Sequence, residues 1–431
     1  MLRTKQTHRV QLTHTYKTQL LAWAQQFEQV VWLDSNNYEQ QYSNYDAVLA
    51  VDAYTFIKTD YKNAFDTLKT YKTKTNDWIF GYLTYDLKND VELLESKNFD
   101  GLNLPDLYFF QPKKLFLFKG DTLEIRYLNA FKNDIDTDLL AIANFNFEPC
   151  ISNCNAVKIQ LRTSKDRYFK KVASILSRIH RGDIYEANFC QEFYAHNTVI
   201  NPLDTYLKLN SISKPPFATF FKSNNNYLMC ASPERYIKKE ATTIISQPIK
   251  GTAKRSTDRE TDVYLKTELE TNEKERSENI MIVDLVRNDL SITALKGSVK
   301  VNELCKIYTF DQVHQMISTV TSKIAKTTHP VDVIKSTFPM GSMTGAPKIS
   351  AMQIIEELED AKRGLYSGSV GYITPEGDFD FNVVIRSILY NKTKNYVSYS
   401  VGGAITAKSE PLKEYEECLI KAKAMRMVLE N

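Results

Sequence analysis

Short apolar runs joined in pairs by tight turns recur along this chain, and they restrict its fold more than any other feature. "KLFLFKGDTLEIRYL" reads as a hairpin around Gly120-Asp121, and "GLYSGSVGYITPEGDFDFNVVIRSILY" as another turning at Pro375-Glu376-Gly377. "PFATFFK" pairs with "NYLMCAS" and "RYIKK" with "TTIISQPIKGT", while "NYVSYSVGGAIT" continues the sheet. Hairpins dominate over βαβ units, so the class is α+β with a large antiparallel sheet system. Helices punctuate it. "KDRYFKKVASILSRIHRG" is apolar at helical spacing and stops at Gly182, one long helix is predicted over about 258–289, and a last helix begins at Pro411.

Residues 129–155 turn rich in Asn and Asp and break at "EPCISNCN". That shift divides the chain into an N-terminal region, 1–150, and a C-terminal region, 160–428. At 431 residues and 43% hydrophobic, the chain can bury a sizeable core. Its 55 basic and 52 acidic residues nearly cancel, which argues against a dedicated nucleic-acid binder. No apolar run approaches the roughly 20 residues of a membrane helix, and "MLRTKQTHRVQL" lacks the apolar segment of a signal peptide. The expected location is cytoplasmic. Of the six cysteines only Cys150 and Cys154 are close together, with no histidine pair nearby to complete a zinc site, so reduced, mostly buried thiols are expected.

Four groups of residues could carry chemistry. Glu275 and Glu278 in "KERSEN", and Glu414 and Glu417 in "LKEYEE", are each three apart, which puts both carboxylates of a pair on one helix face. If the two faces met, they would form an oxygen-only environment suited to Mg²⁺; two solvated helix faces account for the spacing equally. "GSMTGAPKIS" is a Gly-rich turn entering a helix at Pro347, without the ending of a P-loop, and "SVGGAIT" lets a backbone approach a ligand closely. Strand alternation places Arg386, in "NVVIRSILY", opposite Val383 and Ile385, as an exposed charge or a fork for a carboxylate. Lys250 in "QPIKGTAKR" is bracketed by a proline and a Gly-Thr turn, either as a solvated charge or as a positioned nucleophile.

In order along the chain, "GDIYEANFCQEF", "SPERY", "QPIKGTAKR", "KERSENIMIVDLVRNDL", "FPMGSMTGAPKISAMQIIEELE", "RGLYSGSVGYI", "DFDFNVVIRS" and "VGGAIT…EYEECLIKA" resemble the chorismate-utilising enzymes. These include the large subunits of anthranilate and aminodeoxychorismate synthases, with isochorismate and salicylate synthases. The resemblance spans roughly 180–428, and "FGYLTYDLK" extends it weakly toward the N-terminus. It implies layered antiparallel sheets flanked by helices, with the active site in a cleft of the C-terminal region. It also implies Mg²⁺ on Glu278 and Glu417, with Glu275 and Glu414 supporting through water. Tyr366 and Arg386 would hold the enolpyruvyl carboxylate, and Ser342, Thr344 and the Gly402-Gly403 backbone would line the pocket.

Within the resemblance, lysine between "PI" and "GT" is typical of aminodeoxychorismate synthases, where anthranilate synthases usually have alanine. Lys250 would attack ring C2 as the C4 hydroxyl leaves, with Glu234 as the acid that protonates it. Desolvation and nearby positive charge are expected to keep Lys250 partly deprotonated. The implied activity is Mg²⁺-dependent amination of chorismate at C4, a step toward para-aminobenzoate and folate. No amidotransferase segment is apparent, so ammonia would come free or from a separate glutamine amidotransferase subunit. The competing readings are an anthranilate synthase large subunit and a catalytically silent chorismate-binding protein. The chain departs from the pattern at Glu186, usually glutamine in this subfamily and lysine in isochorismate synthases. It departs again at Gln315, usually histidine, with His314 adjacent, and at Met340 and Ala404, usually glycines.

Overall fold

The computed structural model describes residues 2–38, 41–145 and 156–430. Among them, all ladders between strands are antiparallel, and the strands join into one hydrogen-bonded system with helices packed on it. This is the α+β arrangement expected. The hairpins lie where the turn chemistry puts them: Leu107–Lys119 with Thr122–Leu128, Phe217–Ser223 with Asn226–Ser232, and Ser369–Ile373 with Phe379–Asn382.

The period of two along the strands explains how one sheet serves two cores. In the strand Gln29–Asp34, Val30 and Trp32 enter one core while Val31 enters the other. Ala47, Leu49 and Val51 alternate in the same way with Val48 and Ala50, and Phe220 with Phe221. A sheet buried on both faces needs nearly continuous apolar runs, which is what "QVVW" and "AVLAV" supply.

One core is closed by the helices His14–Ala24, Lys165–Arg181, Pro202–Ser213 and Pro411–Glu430. The helix Lys165–Arg181 buries Tyr168, Val172, Ile175 and Ile179, each worth about 1.5–3 kcal/mol over exposure. Ser164 caps its start by accepting from the Arg167 N–H, and Gly182, at φ 90°, ends it.

The break at 148–155, with Cys150 and Cys154, lies outside the described residues. On either side of it strands pair with one another: Gln29–Asp34 with Phe217–Ser223, and Ile79–Leu83 with Ser369–Ile373. The other four cysteines are free and buried. No described helix is long and apolar enough to cross a membrane.

Two sequence expectations need correction. The helix predicted over 258–289 is two helices, Arg259–Thr271 and Glu273–Ser291. Asn272 divides them, its side chain accepting from the Glu275 N–H to cap the second. Arg386 is not in a strand. It sits between Phe379–Asn382 and Ser387–Asn391 at φ 54°, a left-handed break that removes the strand alternation.

Candidate active site

Lys250 lies in the strand Ile249–Lys254, where the ladder with Val313–Lys323 shifts register between Ile249 and Thr252. Gly251, at φ 91°, supplies the left-handed residue this bulge uses, and a bulge of this kind re-aims the side chain beside it. The Lys250 ammonium is thereby partly buried, 3.2 Å from Glu186 Oε1. Asn279 fixes the same strand to the helix Glu273–Ser291, donating to the carbonyls of Lys250 at 3.3 Å and Met316 at 3.1 Å.

The electrostatics around Lys250 differ from expectation. Burial alone favours loss of its proton, but Glu186, Glu278 and Glu234 outweigh it and hold the ammonium above the usual lysine range. The charged groups that shift it most are all carboxylates. The predicted nearby positive charge is replaced by carboxylates, so Lys250 rests as an ammonium.

Glu234 occupies the turn between Asn226–Ser232 and Arg235–Glu240, its N–H donating to Ser232 Oγ at 3.2 Å. Burial pushes its carboxyl up to about 7, against a smaller opposing effect of the Ser342 hydroxyl and Lys250. A carboxyl poised there holds a proton near neutral pH and can give it away. Ser342 is carried by the short helical turn Gly341–Met343, whose carbonyl accepts from Asn188 Nδ2 at 2.9 Å. The Thr344 hydroxyl instead donates back to Gly341 O at 3.2 Å, closing its own turn.

The two glutamate pairs approach each other around Lys274, whose ammonium is held protonated, against its partial burial, by Glu278, Glu414, Glu275 and Glu417 together. Glu278 Oε1 is buried without a hydrogen-bond partner, and burial pushes its carboxyl up to about 7. Glu414 and Glu417 face Gly403, where a Cβ would lie 3.4 Å from Glu414 Oε2 and 3.7 Å from Glu417 Oε1. Glu275 Oε2 would lie 3.2 Å from a Cβ on Gly251, beside Lys250. Among the described residues no three acidic, histidine or cysteine side chains are close enough to enclose a cation. Lys274 and Lys421 stand among the carboxylates instead, Lys421 Nζ 2.6 Å from Glu417.

Lys421 also donates to the Gly402 carbonyl at 2.8 Å. Gly402 has a second constraint, since a Cβ there would fall 2.4 Å from Phe189 O. Tyr366 is buried, and its hydroxyl accepts from the Cys190 thiol at 3.6 Å. The Arg386 guanidinium has no hydrogen-bond or ion-pair partner among the described residues and lines a cavity with Thr252, Gln315 and Lys421. Burial lowers its proton affinity, partly offset by Tyr366 and Glu417. An unpaired guanidinium in a cavity suits an anionic ligand.

Gln315 pairs with Thr252, and its Oε1 is buried without a partner. His314, one residue along the strand, points to the other side, bonding Asp262 at 3.1 Å and Thr309 at 3.0 Å. It therefore does not stand in for the missing histidine. Sequence reading missed Lys274, Asn279 and Lys421. The i,i+4 spacings Lys274–Glu278 and Glu417–Lys421 were the available signal for the lysines. Asn279 gave none.

Residues 16–427 match the family described as chorismate binding enzyme. A probable chloroplastic aminodeoxychorismate synthase of Oryza sativa subsp. japonica is 40% identical over 283 residues, 65% of this chain and 31% of the rice protein. The chain thus spans about a third of that relative's length. Aminodeoxychorismate synthase component 1 of Bacillus subtilis (strain 168) is 31% identical over 403 residues, covering 88% of this chain and 84% of the relative. The crystal structure of anthranilate synthase component I from Streptococcus pneumoniae TIGR4 superposes with a TM-score of 0.79 at 23% identity, covering 90% of this chain and 93% of that one.

Proposed function

The chain belongs to the chorismate binding enzymes, and within that family we propose that it aminates chorismate at C4 to 4-amino-4-deoxychorismate. The observation that carries this reading is the pair Lys250 and Glu234. A partly buried primary amine and a carboxyl pushed up to about 7 influence one another, a nucleophile beside an acid. The aminodeoxychorismate synthase relatives support the same reaction.

Lys250, after losing its ammonium proton, forms a bond to ring C2. The diene electrons shift, the C4–O bond breaks, and Glu234 protonates the departing hydroxyl to water. Ammonia then bonds to C4, the electrons return, and the C2–Nζ bond breaks to release Lys250. Two displacements retain configuration at C4. The unpaired Arg386 guanidinium suits the enolpyruvyl carboxylate with Tyr366, and Ser342 and the Gly402-Gly403 backbone border the ring.

Mg²⁺ fits the donor set in kind: the four carboxylates are hard oxygen ligands, Glu278 Oε1 is buried without a hydrogen-bond partner, and Gly403 puts no side chain before Glu414 and Glu417, where the ion would compete with Lys421. Glu278 and Glu417 would hold the ion, with Glu275 and Glu414 supporting through water. When bound it would supply positive charge for a substrate carboxylate and lessen the pull of Glu278 on the Lys250 proton.

Ammonia would reach the site from a glutamine amidotransferase subunit, as the designation component 1 of the Bacillus relative suggests. Burial pushes the thiols of Cys190 and Cys230 up to about 12 and about 11, values unsuited to a nucleophilic cysteine. The free, buried described thiols also fit a cytosolic setting.

The test is to incubate the purified chain with chorismate, Mg²⁺ and ammonium, and to weigh the product. Exchange of hydroxyl for amine with the enolpyruvyl group retained is expected. Release of pyruvate would make it an anthranilate synthase, and binding without turnover a silent chorismate-binding protein. Glutamine in place of ammonium is expected to give no product with the chain alone.

A further inference from the structure

Three acceptor oxygens near this cleft are buried without a hydrogen-bond partner: Glu278 Oε1, which has Lys274 Nζ at 3.8 Å, Gln315 Oε1 and Glu186 Oε2. The first falls to the cation site. Glu186 is the unusual case, because its other oxygen is engaged. It stands at the start of the strand Glu186–Ala195, 1% exposed, with Oε1 3.2 Å from the Lys250 ammonium and Oε2 free. A buried carboxylate oxygen with no donor carries a desolvation penalty that a cationic donor would remove. The register of its strand with Gly345-Ala346 and with Tyr396–Thr406 holds it in place.

Resting on the amination reading, we propose that Glu186 is the seat of the incoming nitrogen, with Oε2 accepting a hydrogen bond from ammonium beside Lys250. The carboxylate distinguishes this donor from water by charge. It also supplies the base the second displacement needs, because ammonium has no lone pair until it gives up a proton.

The protons balance around Glu186. Lys250 enters having lost one proton to water and bonds C2 as the C4 hydroxyl leaves with the Glu234 proton. Ammonium passes a proton to Glu186 and becomes ammonia, whose lone pair bonds C4 as the C2–Nζ bond breaks. The new C4 ammonium returns a proton to Glu234, and Glu186 protonates the released Lys250 amine. Chorismate and ammonium become aminodeoxychorismate, water and one proton.

The test compares the full wild-type chain with Glu186→Gln, using chorismate, Mg²⁺ and ammonium chloride at fixed pH. The amide keeps an oxygen for Lys250 but offers the ammonium no charge. Charge-assisted bonds are roughly twice as strong as neutral ones, so the KM for ammonium should rise by about tenfold or more. The KM for chorismate should stay within about twofold, since Glu186 faces the nitrogen rather than the carboxylate contacts. With ammonium withheld, the Lys250–ring adduct should still form, and faster than in the wild type, because the amide no longer holds the Lys250 ammonium protonated; its formation also reports a folded variant. An unchanged KM for ammonium overturns the inference. So does adduct formation that falls as far as amination, which would mean Glu186 acts on Lys250 alone. Either result leaves the amination reading standing; a wild-type chain that does not aminate chorismate removes that reading, and the inference with it.

Discussion

Replacing Glu234 by glutamine should make the protein more stable at alkaline pH while stopping the reaction. Burial moves the Glu234 carboxyl from its ordinary 4.5 to about 7. A raised carboxyl binds its proton more tightly folded than unfolded, so it destabilises the fold progressively as pH climbs from 4.5 through 7. Below 4.5 both states are protonated and nothing is lost. Each pH unit between the two values corresponds to about 1.36 kcal/mol, so the ionised side chain costs the fold up to about 3 kcal/mol above pH 7. Glu234→Gln removes the titration and keeps the shape. Glu278, also pushed up to about 7, titrates in both proteins and cancels. Urea unfolding at pH 4.5 and pH 8 should show the variant gaining stability only at the higher pH. Amination, which needs the Glu234 proton to release the C4 hydroxyl, should fall by about 10²–10⁴-fold. A stability difference that is the same at both pH values, or absent at pH 8, would refute the buried-acid reasoning.

Glu278→Gln and Glu417→Gln should each abolish amination at ordinary Mg²⁺ with the fold intact by circular dichroism, because a hard cation loses an anionic ligand; a wild-type Mg²⁺ titration in both would reduce these carboxylates to partners of Lys274 and Lys421. Lys250 should form an adduct with the chorismate ring when ammonia is withheld, retaining the enolpyruvyl group, losing water and mapping to residues 247–255. Lys250→Arg should give no adduct and aminate as slowly as Lys250→Ala, since a guanidinium stays protonated; an arginine variant as fast as wild type would leave Lys250 as a charge alone.

The local structure was legible because its causes are local. Period-two alternation gave the strands, Gly-Asp and Pro-Glu-Gly gave hairpin turns, and Gly182 and Pro411 marked a helix stop and start. The division of 258–289 has a local mark too, since Asn272 followed three residues later by Glu275 is a capping pattern. The left-handed break at Arg386 left no such mark. An apolar run on both sides of an arginine fits an unbroken strand as well as two strands with a turn between them.

The candidate site divided along the same line. Motif order was enough to single out Lys250, Glu234 and the two glutamate pairs, because residue type and spacing are properties of the chain. Their charge states were not, because these depend on which groups a fold brings together and how far it excludes water. Glu186 is 64 positions from Lys250 in sequence and 3.2 Å from it in space. Three carboxylates therefore surround a lysine that sequence reasoning placed near positive charge. Burial, which only tertiary packing creates, lifts Glu234 from an ordinary turn carboxylate to an acid near neutrality. Residue types and their order are written in the chain; packing sets the distances and the hydration through which those charges act, and these fix Coulomb interaction and desolvation.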